Sequence, residues 1–127
     1  QSYHSLRLID GPMNADINDA QKYIVEIANQ SDALWSSKSI KDQTLGVFLG
    51  CRLFDLHGRL LSEGHRTEIP LIIAPKDTVY MPVEVPNDWL KHKDAIVHIE
   101  MVQEGVRWWG SPLVLPIEKI GRDMACG

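Results

Sequence analysis

The chain of 127 residues has the length of one domain, with 44% hydrophobic residues, 24% charged residues and a formal charge of -4 at neutral pH. A domain of that size buries roughly two thirds of the surface its unfolded chain exposes, so it needs no disulfides or metals to hold a core. Acids outnumber Lys plus Arg by 17 to 13, which excludes the broad basic surface that a nucleic-acid partner requires.

In chain order, apolar and polar residues alternate in short blocks with the period of a strand. The blocks are "YHSLRLI" (3 to 9), "KYIVEIA" (22 to 28), "LGVFLGCRLFD" (45 to 55), "RLLSE" (59 to 63), "TVYMPVEV" (78 to 85), "AIVHIEMV" (95 to 102), "RWWG" (107 to 110) and "LVLPIEKI" (113 to 120). Their joints carry Gly, Pro, Asn and Asp. The expected fold is therefore all-β, an antiparallel immunoglobulin-like or jelly-roll sandwich of seven to nine strands filling a single domain, 1 to 127. Gly58 and Gly105 stand where hairpins need a positive φ, Asp77 in "APKD" bonds its own backbone in a turn, and "PNDWLKHKD" holds a short helical turn capped by Asn87 or Asp88.

Strand alternation assigns faces. In 45 to 55, Leu45, Val47, Leu49, Cys51 and Leu53 point to the core, and Phe48, Gly50, Arg52 and Phe54 point out. In 95 to 102, Ala95, Val97, Ile99 and Met101 point in, and Ile96, His98, Glu100 and Val102 point out. Beyond Gly105 the same count turns Val106 and Trp108 inward and Arg107 and Trp109 outward. With these strands side by side, Phe48, Arg52, His98, Glu100, Arg107 and Trp109 form an outer platform, with Gly50 as a shallow depression. Such a surface suits a sugar. Trp109 offers a stacking face, Arg52 and Arg107 hold an acidic or polar substituent, and His98 and Glu100 take hydroxyls.

Trp35 reads as a core plug under a loop, Trp89 as either a loop anchor or an exposed contact, and His65 with Arg66 as a solvated polar pair. Cys51 and Cys126 read as free thiols, which fits a reducing compartment. No apolar run reaches the ~20 residues of a membrane span and no basic-then-apolar leader opens the sequence, so no membrane insertion is expected. The sequence begins at Gln1 and reads as a domain cut from a longer protein.

Catalysis finds little support. Glu100 and Glu104 on one extended strand would stand about 13 Å apart at ~3.3 Å per residue, too far for a glycosidase pair. No "GxSxG" is present, and His4, His57, His65, His92 and His98 follow neither "HxH" nor "HExxH", so no metal or other cofactor is expected.

The ordered set of the "DLHGR" hairpin, "EGHRTEIP", the "APKD" turn and "VQEGVRW", within residues 45 to 112, resembles the β-sandwich modules of bacterial polysaccharide-assembly proteins. The nearest named group is the carboxy-terminal carbohydrate-binding domain of Wzt-type O-antigen ABC transporters; similar modules are joined to some glycosyltransferases. The first 40 residues lie outside the resemblance. It implies a non-enzymatic domain that recognises a finished polysaccharide by its non-reducing end and licenses its export. That domain would be a homodimer on the cytoplasmic side, peripheral to the inner membrane and appended to the transporter's nucleotide-binding domain. The rival expectation is a structural or dimerisation module with no ligand.

Overall fold

The computed structural model describes residues 3–14, 19–36, 46–69, 72–103 and 107–118. Gly105, Val106, Glu104, Leu45 and Cys126 fall outside these residues. The fold is an all-β antiparallel sandwich. Its first sheet pairs β1 (His4–Asn14) with β2 (Ala20–Asn29), and β2 with β8 (Thr78–Pro86). The second sheet is built on β4 (Val47–Asp55) and β9 (Ala95–Gln103). On one side β4 pairs β5 (Leu60–Glu63) and β6 (Thr67–Glu68), and on the other β9 pairs β10 (Arg107–Trp108) and β11 (Leu113–Pro116). A two-stranded piece joins β3 (Trp35–Ser36) to β7 (Ile72–Ile73).

Each of the eight sequence blocks contains a strand, although the block from 107 to 110 is strand only over Arg107–Trp108 and that from 113 to 120 only over Leu113–Pro116, its last two residues lying outside the described ones. The three further strands, β3, β6 and β7, are two residues long each, too short to express an alternation that a sequence could reveal. Alternation is clean where both neighbours are long. Tyr23, Val25 and Ile27 of β2 and Met81, Val83 and Val85 of β8 meet Val47, Leu49, Cys51 and Leu53 of β4 and Val97, Ile99 and Met101 of β9 in one buried cluster. Each such side chain removes apolar surface from water at about 25 cal/mol per Å².

Turn chemistry closes the hairpins. Asp55 accepts from the backbone N–H groups of His57 and Arg59 through Oδ1 and pairs with the Arg59 side chain through Oδ2, while Gly58 takes φ 84°. Asp77 Oδ1 accepts from the N–H of Thr78, and the Asp77 N–H bonds Ala74 O, as the "APKD" turn predicts. A 3-10 helix spans Asn87–Lys91, but its N-cap is Pro86 and no side chain caps it. The expected Asn87 or Asp88 cap is therefore absent; a single 3-10 turn leaves few orphan N–H groups for a cap to satisfy.

Asn29, fully buried at the end of β2, ties the loops together. Its Nδ2 donates to the carbonyls of Ala33, Ile73 and Ala74, and its Oδ1 accepts from the Ser31 N–H and hydroxyl. No helix of the described residues is long and apolar enough to cross a membrane.

Candidate functional site

The β4–β9 ladder pairs Phe48 with Val102, Gly50 with Glu100, Arg52 with His98 and Phe54 with Ile96. Directly opposed residues in an antiparallel pair share a face, so Phe48, Arg52, His98 and Glu100 do stand together on the outer face of the second sheet. The Phe54 and His98 rings lie 4.6 Å apart, and the Arg52 guanidinium lies 5.2 Å from the Phe54 centroid.

The β9–β10 hairpin corrects the tryptophans. Arg107 pairs with Gln103 and Trp108 with Val102, so Trp108, and not Trp109, shares the outer face. The sequence count had carried the alternation straight through the turn, and the observed pairing is displaced from it by one residue, which reverses every face beyond. Arg107 is exposed on the side of Gln103, opposite Arg52, and does not join the platform. Trp109, whose N–H bonds Met101 O, turns to the core side, where its ring meets Trp35 at 5.0 Å and His4 at 5.6 Å, both edge-on. Trp35 is the buried core plug expected of it.

Trp108 fills the depression at Gly50. A Cβ at residue 50 would sit 2.6 Å from Trp108 Cη2 and 2.8 Å from Cζ3, so only glycine lets the indole lie against the strand. Over this ring the Arg52 guanidinium stands 3.7 Å from the centroid, and that of Arg66 stands 5.4 Å away. These are cation–π distances. Arg66 was read from sequence as part of a solvated pair; its place beside Trp108 arises because the β5–β6 segment folds back along β4, a long-range fact without a local signal.

Glu100 is not free to take a ligand hydroxyl. It is 4% exposed, its Oε1 accepts from Arg52 Nη2 at 2.8 Å, and its Oε2 accepts from the Gly110 N–H. Its burial follows from Trp108 and the Gly110 turn closing over it. Arg52 Nε is likewise buried and makes no hydrogen bond, leaving its cation to Glu100 and the indole. His98 loses basicity, chiefly through desolvation, with Arg52 adding to the effect and Glu100 opposing it. The cationic form of this imidazole is therefore less favoured than that of a free histidine.

The result is a shelf of Trp108, Arg52, Arg66, Phe48, Phe54 and His98. The rings can lie against C–H surfaces where Arg52 does not already cover the indole, and the guanidinium N–H groups not bonded to Glu100 can donate to oxygens. Cys51 lies behind it in the core, its thiol pushed up to about 12 by burial, which makes it inert as a nucleophile.

No family model matches the chain, and no curated protein matches it. Among solved structures, the one described as "X-ray structure of Northeast Structural Genomics Consortium target SoR45" is 16% identical, with 91% of this chain and 85% of that one covered and a TM-score of 0.38. A likeness that slight carries no argument.

Proposed function

We propose that the domain is a non-catalytic recognition module for a bacterial surface polysaccharide of the O-antigen type, reading its non-reducing end and coupling that reading to export by an ABC transporter. The observation that supports it is the stack of Arg52 on Trp108 over Gly50, an aromatic and cationic shelf on an otherwise regular sheet face. A pyranose presents C–H faces to rings of this kind, while its hydroxyl or carboxylate oxygens accept from guanidinium groups. The ordered motifs of residues 45 to 112 add the resemblance to the Wzt-type carbohydrate-binding domain. In this reading the module is a cytoplasmic homodimer attached to the transporter's nucleotide-binding domain.

Calorimetric titration with an O-chain, and with the same chain lacking its terminal residue, tests the reading. Saturable binding to the first alone, weakened at least about tenfold by Trp108→Ala or Arg66→Ala, is the expected result. Binding unaffected by both substitutions, or none at all, overturns it.

A second reading, a dimerisation module, is favoured by one feature. Leu56, Leu60 and Leu61 are 61%, 47% and 46% exposed around one hairpin at the sheet edge, a concentration of apolar surface that a partner copy would cover. Sedimentation of Leu60→Lys and Leu61→Lys variants, combined with the O-chain titration, distinguishes it: loss of a dimer in a protein that binds no O-chain supports this reading, and an unchanged sedimentation coefficient removes it.

A further inference from the structure

A second cavity lies away from the Trp108 shelf, where the end of β5 meets the 3-10 helix that leads from the first sheet to the second. Its volume is about 410 Å³, within the ~300 to 1,000 Å³ of ordinary small-molecule sites. Glu63, Gly64 and His65 form one wall, and Pro86, Asp88 and His92 form the other, with Trp89 between them. The floor is fixed. Trp89 is buried, the Gly64 N–H bonds Cys51 O at 2.9 Å, and a Cβ at residue 64 would sit 2.6 Å from Cys51 Sγ and 3.1 Å from Trp89 Cη2. The wall thus lies directly on the core, so its polar side chains project from a backbone that is already ordered, which lowers the cost of binding.

The lining chemistry selects the ligand class. Two carboxylates and two imidazoles, without a lysine or arginine in the lining, repel anions and offer acceptors for hydroxyl groups. Lys91 reaches Asp88 at 3.4 Å, but in an exposed ion pair of little strength. Among the described residues no three His, Cys, Asp or Glu side chains converge to hold a metal ion. We infer that this cavity is a binding site for an uncharged, polyhydroxylated ligand the size of one or two sugar units. Glu63 and Asp88 accept from its hydroxyls, His65 and His92 donate or accept, and Pro86 and Trp89 border its C–H surface. The site is independent of the Trp108 shelf, whose arginines favour acidic or polar substituents.

The test is NMR of the whole domain, following the imidazole resonances of His65 and His92 and the indole N–H of Trp89 and Trp108. The probes are the methyl glycosides of neutral hexoses, methyl glucuronide and inorganic phosphate, each raised to tens of millimolar. Saturable shifts at His65, His92 and Trp89 with at least one neutral glycoside are expected, with methyl glucuronide and phosphate at least about tenfold weaker. Glu63→Gln and Asp88→Asn are expected to weaken binding by about tenfold each while leaving the thermal midpoint unchanged, since both side chains are exposed. Silence at these three resonances with every neutral glycoside overturns the inference, as does binding that survives both substitutions or that favours the anions. Shifts confined to Trp108 would support the shelf as a glycan site and overturn this one; shifts at His65, His92 and Trp89 without Trp108 would support this site and leave the shelf to the O-chain titration.

Discussion

Trp108 and Trp109 are neighbours in sequence with opposite surroundings. Trp108 lies on the outer face of the second sheet, against Gly50 and beneath Arg52. Trp109 belongs to a ring cluster with Trp35 and His4, packed on the core. The same residue type is a shelf at one position and a wedge at the next. What separates them is the hairpin register, which decides the face of each residue and hence the chemistry available to it.

The sharpest way to break this contrast is to remove each indole in turn. Trp109→Ala is expected to cost about 3 kcal/mol, as for other aromatic truncations that leave a cavity beside a core, and Trp108→Ala less than half as much. Equal losses in urea unfolding would erase the distinction.

Next in size is Glu100→Ala. It strands the Arg52 cation beside the indole and leaves the Gly110 N–H without its acceptor, a cost of about 2 to 3 kcal/mol for a buried pair that retains some solvent. Chemical denaturation measures it, and Arg52→Met combined with Glu100→Leu is expected to restore part of the loss.

Gly50→Ala tests the close approach itself. The new methyl must displace the Trp108 ring, at about 1 to 2 kcal/mol, and the cost is expected to fall in a Trp108→Ala background, since the two sites share one contact. Additive losses in that double-mutant cycle would show that Gly50 matters for another reason.

The smallest effect is the response to pH on the Trp109 side. Both His4 ring nitrogens are buried without hydrogen-bond partners, and desolvation lowers the basicity of the imidazole while Glu100 partly restores it. A histidine with a lowered folded-state pKa contributes stability above its ordinary value of 6.5, and that contribution is lost as pH falls from there through the folded pKa. Solvent that reaches the half-buried ring screens the effect and keeps it small. His4→Phe is expected to flatten the denaturation midpoint between pH 7 and pH 5, while Trp108→Ala leaves that slope in place. A slope unchanged by His4→Phe would move the effect to His98, whose basicity is lowered in the same direction.

Much of this architecture was legible in the chain. Alternation in 47 to 54 and 95 to 102 assigns the core side of β4 and β9 correctly, and it puts Arg52 and Glu100 on one face. It does so because long paired strands must present one apolar face to a core. The pattern did not show that Glu100 would be sealed there, since its cover comes from Trp108 and the turn at Gly110. Arg107 and Trp109 were placed on the wrong face because a turn of unknown pairing lies between them and β9. The cavity was invisible for a related reason. Glu63 and His65 are separated in sequence from Asp88 and His92, and only the crossing from β8 to β9 brings the two segments together.

Local pattern dictates the all-β class, the strands long enough to alternate, the Asp55–Gly58 and Asp77 turns and the core side of each long strand, because these depend on neighbours two to four residues away. Only the assembled sheets decide which tryptophan faces outward, which arginines meet it, how Glu100 is paired and where a cavity opens. Those outcomes depend on register and on how loops close over a finished sheet, and a shift of one residue there reverses a face without altering the composition of the chain.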